Sequence, residues 1–346
     1  MTKYLMTIDQ RKKDYFKLLS PDIPRFLEDY IETPEMLKQQ YISITCGTIY
    51  TNLFKSHYIF NSLDHAIAVA LIIWHFTKDE KETLSGLFHD IATPAFKHCI
   101  DFLNGDYVTQ ESTEDLTTTI ISNSKEIMGL LKRDNITLEE VDNYHIYPIA
   151  DNDTPRLSSD RLEYSLSNGL FTYELKDFNS IKEMYQDIVI GKNEDGIIEL
   201  EFKTESIATS FVLMTTDLSL YYRLDKTRYS MQLLADIIKK LIEENKLKIT
   251  DLYNLGDKDI IDIILQSKYK DIYNIWLNAT EIKTSETKPE CVYYVHHPAK
   301  VRYINPMCNS KRIRDINTSA NESINYNLNY KMDNFVYLDG IKDGIL

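Results

Sequence analysis

Leu87-Phe88-His89-Asp90-Ile91-Ala92-Thr93-Pro94-Ala95-Phe96-Lys97-His98 is the stretch on which the reading of this chain turns. An imidazole and a carboxylate stand side by side at the end of a short amphipathic segment, 79–90. Its acidic residues lie near its start, where the helix dipole favours them. Adjacent His and Asp at a helix end can both reach one ion if the backbone there leaves regular helix. Upstream, residues 62–77 carry Leu63, Ile67, Ala70, Leu71 and Trp74 at helical spacing, with Asp64-His65 near the start. Downstream, a helical segment at 158–170, with Ser158 or Ser159 as N-cap, bears Asp160-Arg161-Leu162-Glu163-Tyr164.

These three pieces nominate His65, His89, Asp90 and Asp160 as ligands of one divalent metal ion. Two imidazoles and two carboxylates make a site of intermediate softness. It suits Mn, Fe, Co, Ni, Zn or Mg with positions left open for water. Helix bundles commonly build metal sites from side chains on facing helices. Each piece also has an ordinary reading. A His-Asp pair arises by chance, a histidine on an apolar face is more often a satisfied core residue, and a lone Asp160 is more often a cap or a surface charge.

Outward from this centre, most of the first 280 residues read as helix, including 112–133, 136–144, 204–224, 228–247 and 257–278. The period changes in Asp187–Lys203, where Ile188 and Ile190, then Ile198, Leu200 and Phe202, alternate around a Lys-Asn-Glu-Asp-Gly turn: a β-hairpin signal. From about 290, CVYYVHH, KVRYI and NFVYLD are short β-type runs between polar loops. The expected fold is mainly α: a helical bundle over 1–285 with a β-hairpin insertion, and a small antiparallel β extension over 286–346 packed on it.

The net charge of −14 disfavours nonspecific contact with nucleic acid or an anionic membrane, so a phosphate ligand must be drawn in by a local positive site. A bound divalent cation supplies such charge. The four cysteines, Cys46, Cys99, Cys291 and Cys308, are far apart, consistent with reduced thiols. The N-terminal residues lack a signal-like apolar core, and the run Ala66 to Trp74 is too short to span a bilayer. The expectation is a cytoplasmic protein. Lys300, Arg302, Lys311, Arg312 and Arg314 form the dense basic region of an acidic chain. They read either as a solvated β-ribbon or as an anion site at a subunit boundary.

The spacing H…HD…D resembles the HD superfamily of metal-dependent phosphohydrolases. Residues 32–170 are similar to its deoxynucleoside triphosphate triphosphohydrolases and their SAM-and-HD-domain relatives. Glu32-Thr33-Pro34-Glu35-Met36-Leu37 resembles the family's D-T-P-x-F-Q-R-L segment, and Asp64-His65 its acidic-His pair. Leu87 to His98 resembles L-x-H-D-I/L-G-H-x-P-F-S-H, with Asp101 also in register. Asp160 to Tyr164 resembles D-K/R-x-D-Y.

The resemblance implies an HD-type hydrolase of a nucleotide, most directly a (deoxy)nucleoside triphosphate, holding one divalent ion and forming homo-oligomers. Arg161 would clamp a phosphate, Tyr164 would face the substrate, and His98 and Asp101 would support a ligand or phosphate. Lys226 would add a second positive group. The chain departs from the pattern at Ser62, where the family has Arg, and at Ala92-Thr93, where it has Gly-His. Gln110 stands where a family histidine acts on the leaving phosphate, leaving Glu111 to orient or deprotonate water. Glutamine cannot donate a proton near neutral pH. Two alternatives stay open: a nucleotide-sensing protein with weak or lost catalysis, and a phosphohydrolase of a non-nucleotide phosphoester.

Overall fold

The computed structural model describes residues 2–54, 58–109 and 116–346. Its centre is the helix Ser62–Thr77, whose sequence is apolar on every face and which is buried along almost its whole length. A helix hydrophobic all round belongs in a core. Its start is fixed by a capping box. The Asn61 side chain accepts from the Asp64 amide at 2.8 Å, and the Asp64 carboxylate accepts from the Asn61 amide at 3.0 Å. Lys12 pairs with the same Asp64 oxygen and the Tyr4 hydroxyl donates to the other one, both at 2.7 Å.

The helix Glu80–Phe88 packs directly against it, opened by an Asp79 cap. Their closest approach explains Gly86: a Cβ there would lie 2.2 Å from Ile73 Cδ1. The helix Ser159–Ser167 packs on the other side of Ser62–Thr77, with the Ser158 hydroxyl accepting from the Arg161 amide. It runs on into a π-helical turn, Asn168–Thr172. These helices share one large hydrophobic core. A second core forms around the helix Asp225–Glu243 and the buried Trp276, whose indole donates to Ser230 Oγ at 2.9 Å.

The mainly helical fold and the hairpin match expectation. Strands β1 (Ile188–Lys192) and β2 (Ile198–Phe202) pair antiparallel, Ile188 opposite Phe202. Other expectations need correction. The 112–133 segment is two helices, Thr117–Asn123 and Lys125–Asp134, parted at Ser124, which caps the second; residues 112–115 lie outside the described residues. Residues 136–144 hold only isolated 3₁₀ turns, Leu138–Glu140 and the start of Tyr144–Ile146. Residues 257–278 divide into Asp257–Leu265 and Lys270–Asn278.

The tail differs most. β3 (Lys283–Ser285) and β4 (Tyr294–Val295) flank β7 (Phe335–Tyr337) in an antiparallel sheet. β5 (Met307–Cys308) and β6 (Lys311–Arg312) instead extend the hairpin sheet, and β5 runs parallel to β2. Strands from either side of residue 285 therefore share sheets. KVRYI forms no strand, and residues 318–329 are a helix, Thr318–Asn329. Its apolar residues Ala320 and Ile324, spaced by four, pack into the larger core, a helical period within a polar, Asn-rich run.

Candidate metal centre

Three helix ends meet over one point. His65 comes from the first turn of Ser62–Thr77, His89 from the end of Glu80–Phe88, and Asp160 from the first turn of Ser159–Ser167. His65 Nε2 lies 3.1 Å from His89 Nε2 and 3.1 Å from Asp160 Oδ1. His89 Nε2 lies 3.6 Å from the same carboxylate oxygen. The three ligand atoms are all within 4.8 Å of one another.

The opposite ring nitrogens say what that point requires. His89 Nδ1 sits 2.7 Å from the Gly86 carbonyl, which can only accept, so Nδ1 carries the proton. His65 Nδ1 donates to the carboxylate of Glu163 in a very short contact. In their neutral forms both rings therefore aim bare Nε2 lone pairs at each other and at a carboxylate. Only a cation between them makes that arrangement favourable. A second ring nitrogen bonded to a carboxylate or carbonyl is also how metal-ligating histidines are oriented. The donor set fits one divalent ion held by His65, His89 and Asp160.

In the absence of an ion a proton takes its place. Burial opposes a charged His65, but Glu163 and Asp160 outweigh it and push the imidazole up to about 10. Burial likewise opposes a charged Asp160, but the two imidazoles hold its carboxyl well below the usual range. Glu163 is fully buried and raised by that burial, against the pull of His65. Its remaining partners are the Tyr15 hydroxyl at 3.1 Å and the Ser167 hydroxyl at 3.3 Å.

Asp90 stands slightly apart. Its Oδ2 is 3.9 Å from His65 Nε2 and 3.8 Å from His89 Nε2, but 2.7 Å from the ammonium of Lys97. Lys97 occupies the place of serine in the motif that this stretch resembles, and its ammonium takes up the Asp90 carboxylate, which was expected as a fourth ligand. It is delivered there by consecutive left-handed residues, Phe96 (φ 62°) and Lys97 (φ 44°). Such a conformation costs non-glycine residues free energy. Asp257 offsets it by accepting from the Phe96 amide at 2.8 Å and the Ser43 amide at 3.0 Å. Lys38 and Gln39 pin the preceding loop through the Thr93 and Ile91 carbonyls, at 2.8 and 2.7 Å.

The cluster opens into a cavity of about 490 Å³ between the two cores. His98, Arg161 and Tyr164 line it. His98 Nδ1 lies 2.9 Å from Asp101 Oδ2, a fully buried carboxylate, so its other nitrogen faces the cavity. Arg161 is not a freely presented clamp. Its guanidinium binds the Asn152 carbonyl and side chain, the Arg156 carbonyl at 2.7 Å and Asp151 at 3.1 Å.

Lys226 is placed elsewhere. It donates to the Leu53 carbonyl at 3.0 Å, with its ammonium 4.6 Å from the Phe54 ring centre, and it does not line the cavity. Its position near the start of the helix Asp225–Glu243 turns it to the neighbouring loop. Gln110 and Glu111 lie outside the described residues.

Sequence reasoning gave no role to Glu163, although its spacing of three from Asp160 places both carboxylates on one helix face. It gave His145 no place in the site either. His145 lines the cavity, paired with Asp151 at 2.8 Å. The tail was the larger omission: residues 299–303 form one wall of the cavity. Nothing in a short basic run signals that it crosses a site more than 130 residues away in sequence.

No protein-family model matches the chain. The uncharacterised protein YdhJ of Bacillus subtilis is 21% identical over 246 residues, 70% of this chain and 72% of that one. Among solved structures, a phosphohydrolase from Bacteroides thetaiotaomicron superposes with a TM-score of 0.61 at 12% identity, over 91% of this chain and 96% of that one. A hypothetical protein from Aquifex aeolicus gives 0.60 at 14% identity, over 92% and 93%. These structures share the fold of this chain over nearly its full length.

Proposed function

We propose that this protein is a metal-dependent phosphohydrolase of the HD type acting on a nucleotide, with a (deoxy)nucleoside triphosphate as the first substrate to test. The observation that carries the reading is the convergence of His65 Nε2, His89 Nε2 and Asp160 Oδ1, each ring oriented from behind, at the floor of a cavity. The phosphohydrolase with the same fold supports it. So does the size of the cavity, which suits a nucleotide-sized ligand.

A divalent ion at this point supplies Lewis acidity toward a phosphoryl oxygen and a water. The protein's own groups do the rest. Glu163 and the Gly86 carbonyl keep the imidazoles turned inward. His98 lies with Nδ1 against Asp101, and burial lowers its proton affinity and so favours the neutral ring, whose Nε2 lone pair faces the cavity within 3.5 Å of the Arg302 guanidinium. Tyr164 adds a hydroxyl on the cavity wall. One observation favours the second reading, a nucleotide-binding protein with weak turnover: Lys97 holds the Asp90 carboxylate that would complete the ligand set. A turnover screen of divalent metals against nucleotides and simple phosphoesters, with products separated, tests the proposal. Metal-dependent release of phosphate, pyrophosphate or triphosphate from nucleotides supports it. Hydrolysis of simple phosphoesters alone removes the nucleotide, and binding without turnover favours the second reading.

A further inference from the structure

We propose that Lys97 is a cation that binds a phosphoryl group of the ligand, and that Asp90 holds it back until a metal ion takes over that carboxylate. The proposal rests on the phosphohydrolase reading for the class of ligand, and on the Lys97–Asp90 geometry for the exchange. The two cations that the sequence offered for a phosphate are both engaged elsewhere. Arg161 is tied to the 151–156 loop, and Lys226 lies outside the cavity lining. Lys97 lines the cavity next to His98, and the sequence gave it no role.

Asp90 is a withheld ligand rather than a remote one. Its Oδ2 stands almost equally far from His65 Nε2 and His89 Nε2, at 3.9 and 3.8 Å. The same oxygen accepts from the Lys97 ammonium at 2.7 Å. An ion held by His65, His89 and Asp160 therefore lies next to the oxygen that Lys97 holds. Two positive charges then compete for one carboxylate. Solvent screens them weakly, because the side chains of Lys97 and Asp90 are only 10% and 26% exposed. Asp90 turns to the ion, which carries the higher charge, and Lys97 is released. Before the ion binds, Lys97 neutralises Asp90.

The backbone decides what the released ammonium meets. Phe96 and Lys97 both have left-handed φ, 62° and 44°, and their turn is locked. Asp257 accepts from the Phe96 amide at 2.8 Å, and the Pro94 carbonyl accepts from the Lys97 amide at 3.0 Å. The side chain thus stays directed into the cavity when it changes partner. An ammonium has three N–H donors, and Asp90 takes one of them. Among the described residues no other group accepts from the Lys97 ammonium. A compact cation with donors to spare is a point-charge ligand for phosphate. Anion binding through Lys97 accordingly follows metal binding.

The test is titration of Mn²⁺, and then of orthophosphate at saturating Mn²⁺, into the full chain. Wild type, Lys97→Met, Lys97→Ser and Lys97→Arg are compared, with a thermal midpoint recorded for each. The two affinities should move in opposite directions. Lys97→Met and Lys97→Ser should bind Mn²⁺ about tenfold or more tightly than wild type, since nothing holds Asp90 back. They should bind orthophosphate about tenfold or more weakly. Lys97→Arg keeps the charge and should bind orthophosphate within about threefold of wild type. A structural defect weakens both affinities together, so a parallel loss overturns the proposal. So does an unchanged affinity for either ion, or failure of the Mn²⁺-loaded wild type to bind orthophosphate. A wild type that binds no Mn²⁺ removes the metal centre and the proposal together. Opposite shifts without hydrolysis of any nucleotide or phosphoester leave the role of Lys97 standing and remove the phosphohydrolase reading.

Discussion

Raising the pH from 7 to 9 should strengthen divalent-metal binding about 100-fold. The perturbation acts on His65. Its Nε2 must be bare to ligate, yet in the metal-free protein Glu163 and Asp160 push the imidazole up to about 10. Each pH unit below that value costs metal binding a factor of about ten, so the two-unit change amounts to about 100-fold. The sign for the metal-free fold is opposite. A raised histidine stabilises it fully below the unfolded value of about 6.5, and that contribution is lost as pH rises through about 10. Calorimetric titration with Mn²⁺ in buffers of different ionisation enthalpy, against a competing chelator, measures both affinity and protons released. About one proton should leave per ion bound at pH 7 to 8. Glu163→Gln removes the first of the two charges holding that proton, so the pH dependence should flatten. An affinity that changes less than about threefold from pH 7 to 9, with no proton release, would refute the linkage between Glu163, His65 and the metal.

Asp257→Ala should destabilise the fold by about 2–4 kcal/mol, because it strands the buried Ser43 and Phe96 amides; an unchanged denaturant midpoint would contradict the role given to Asp257. Gly86→Ala should cost about 1–3 kcal/mol through the clash with Ile73, read as a lower midpoint of thermal unfolding, whereas Gly129→Ala, with open space around it, should not. Arg161→Ala should lower stability by about 1–3 kcal/mol, since its guanidinium ties down the 151–156 loop; an unaltered unfolding curve with lost activity would return it to the role of a substrate clamp. Lys226→Met should leave turnover within about twofold of wild type, as expected of a side chain that donates to the Leu53 carbonyl and lies over the Phe54 ring outside the cavity lining; a tenfold loss would place it in the site.

The helices around the cluster were legible because their signals are local. The apolar run of residues 62–77, the Ser158 cap and the acidic start of 79–90 each act within one or two turns. The hairpin was legible for the same reason, through alternation around a turn. His65, His89 and Asp160 could be nominated because their residue types and order match a pattern, and the structure brings these three together. What stayed hidden depends on partners distant in sequence. Lys97 takes hold of Asp90 only because two left-handed residues turn it back, and Asp257 stabilises that turn from 161 positions away. Arg161 reads as a phosphate ligand until the 151–156 loop folds over it. The tail was only partly legible because its β-type runs are divided among strands of two sheets and the wall of the cavity, with the helix Thr318–Asn329 between them.

The central claim is that His65, His89 and Asp160 hold one divalent ion on which phosphoester hydrolysis depends. The most direct test measures metal stoichiometry and nucleotide hydrolysis together, in wild type, in Asp160→Ala and in chelator-stripped wild type with metal restored. The account predicts one ion per chain in wild type, loss of both ion and turnover in Asp160→Ala, and recovery of turnover when metal is returned to the stripped protein. Full metal content in Asp160→Ala, or undiminished hydrolysis by the stripped protein, would contradict it.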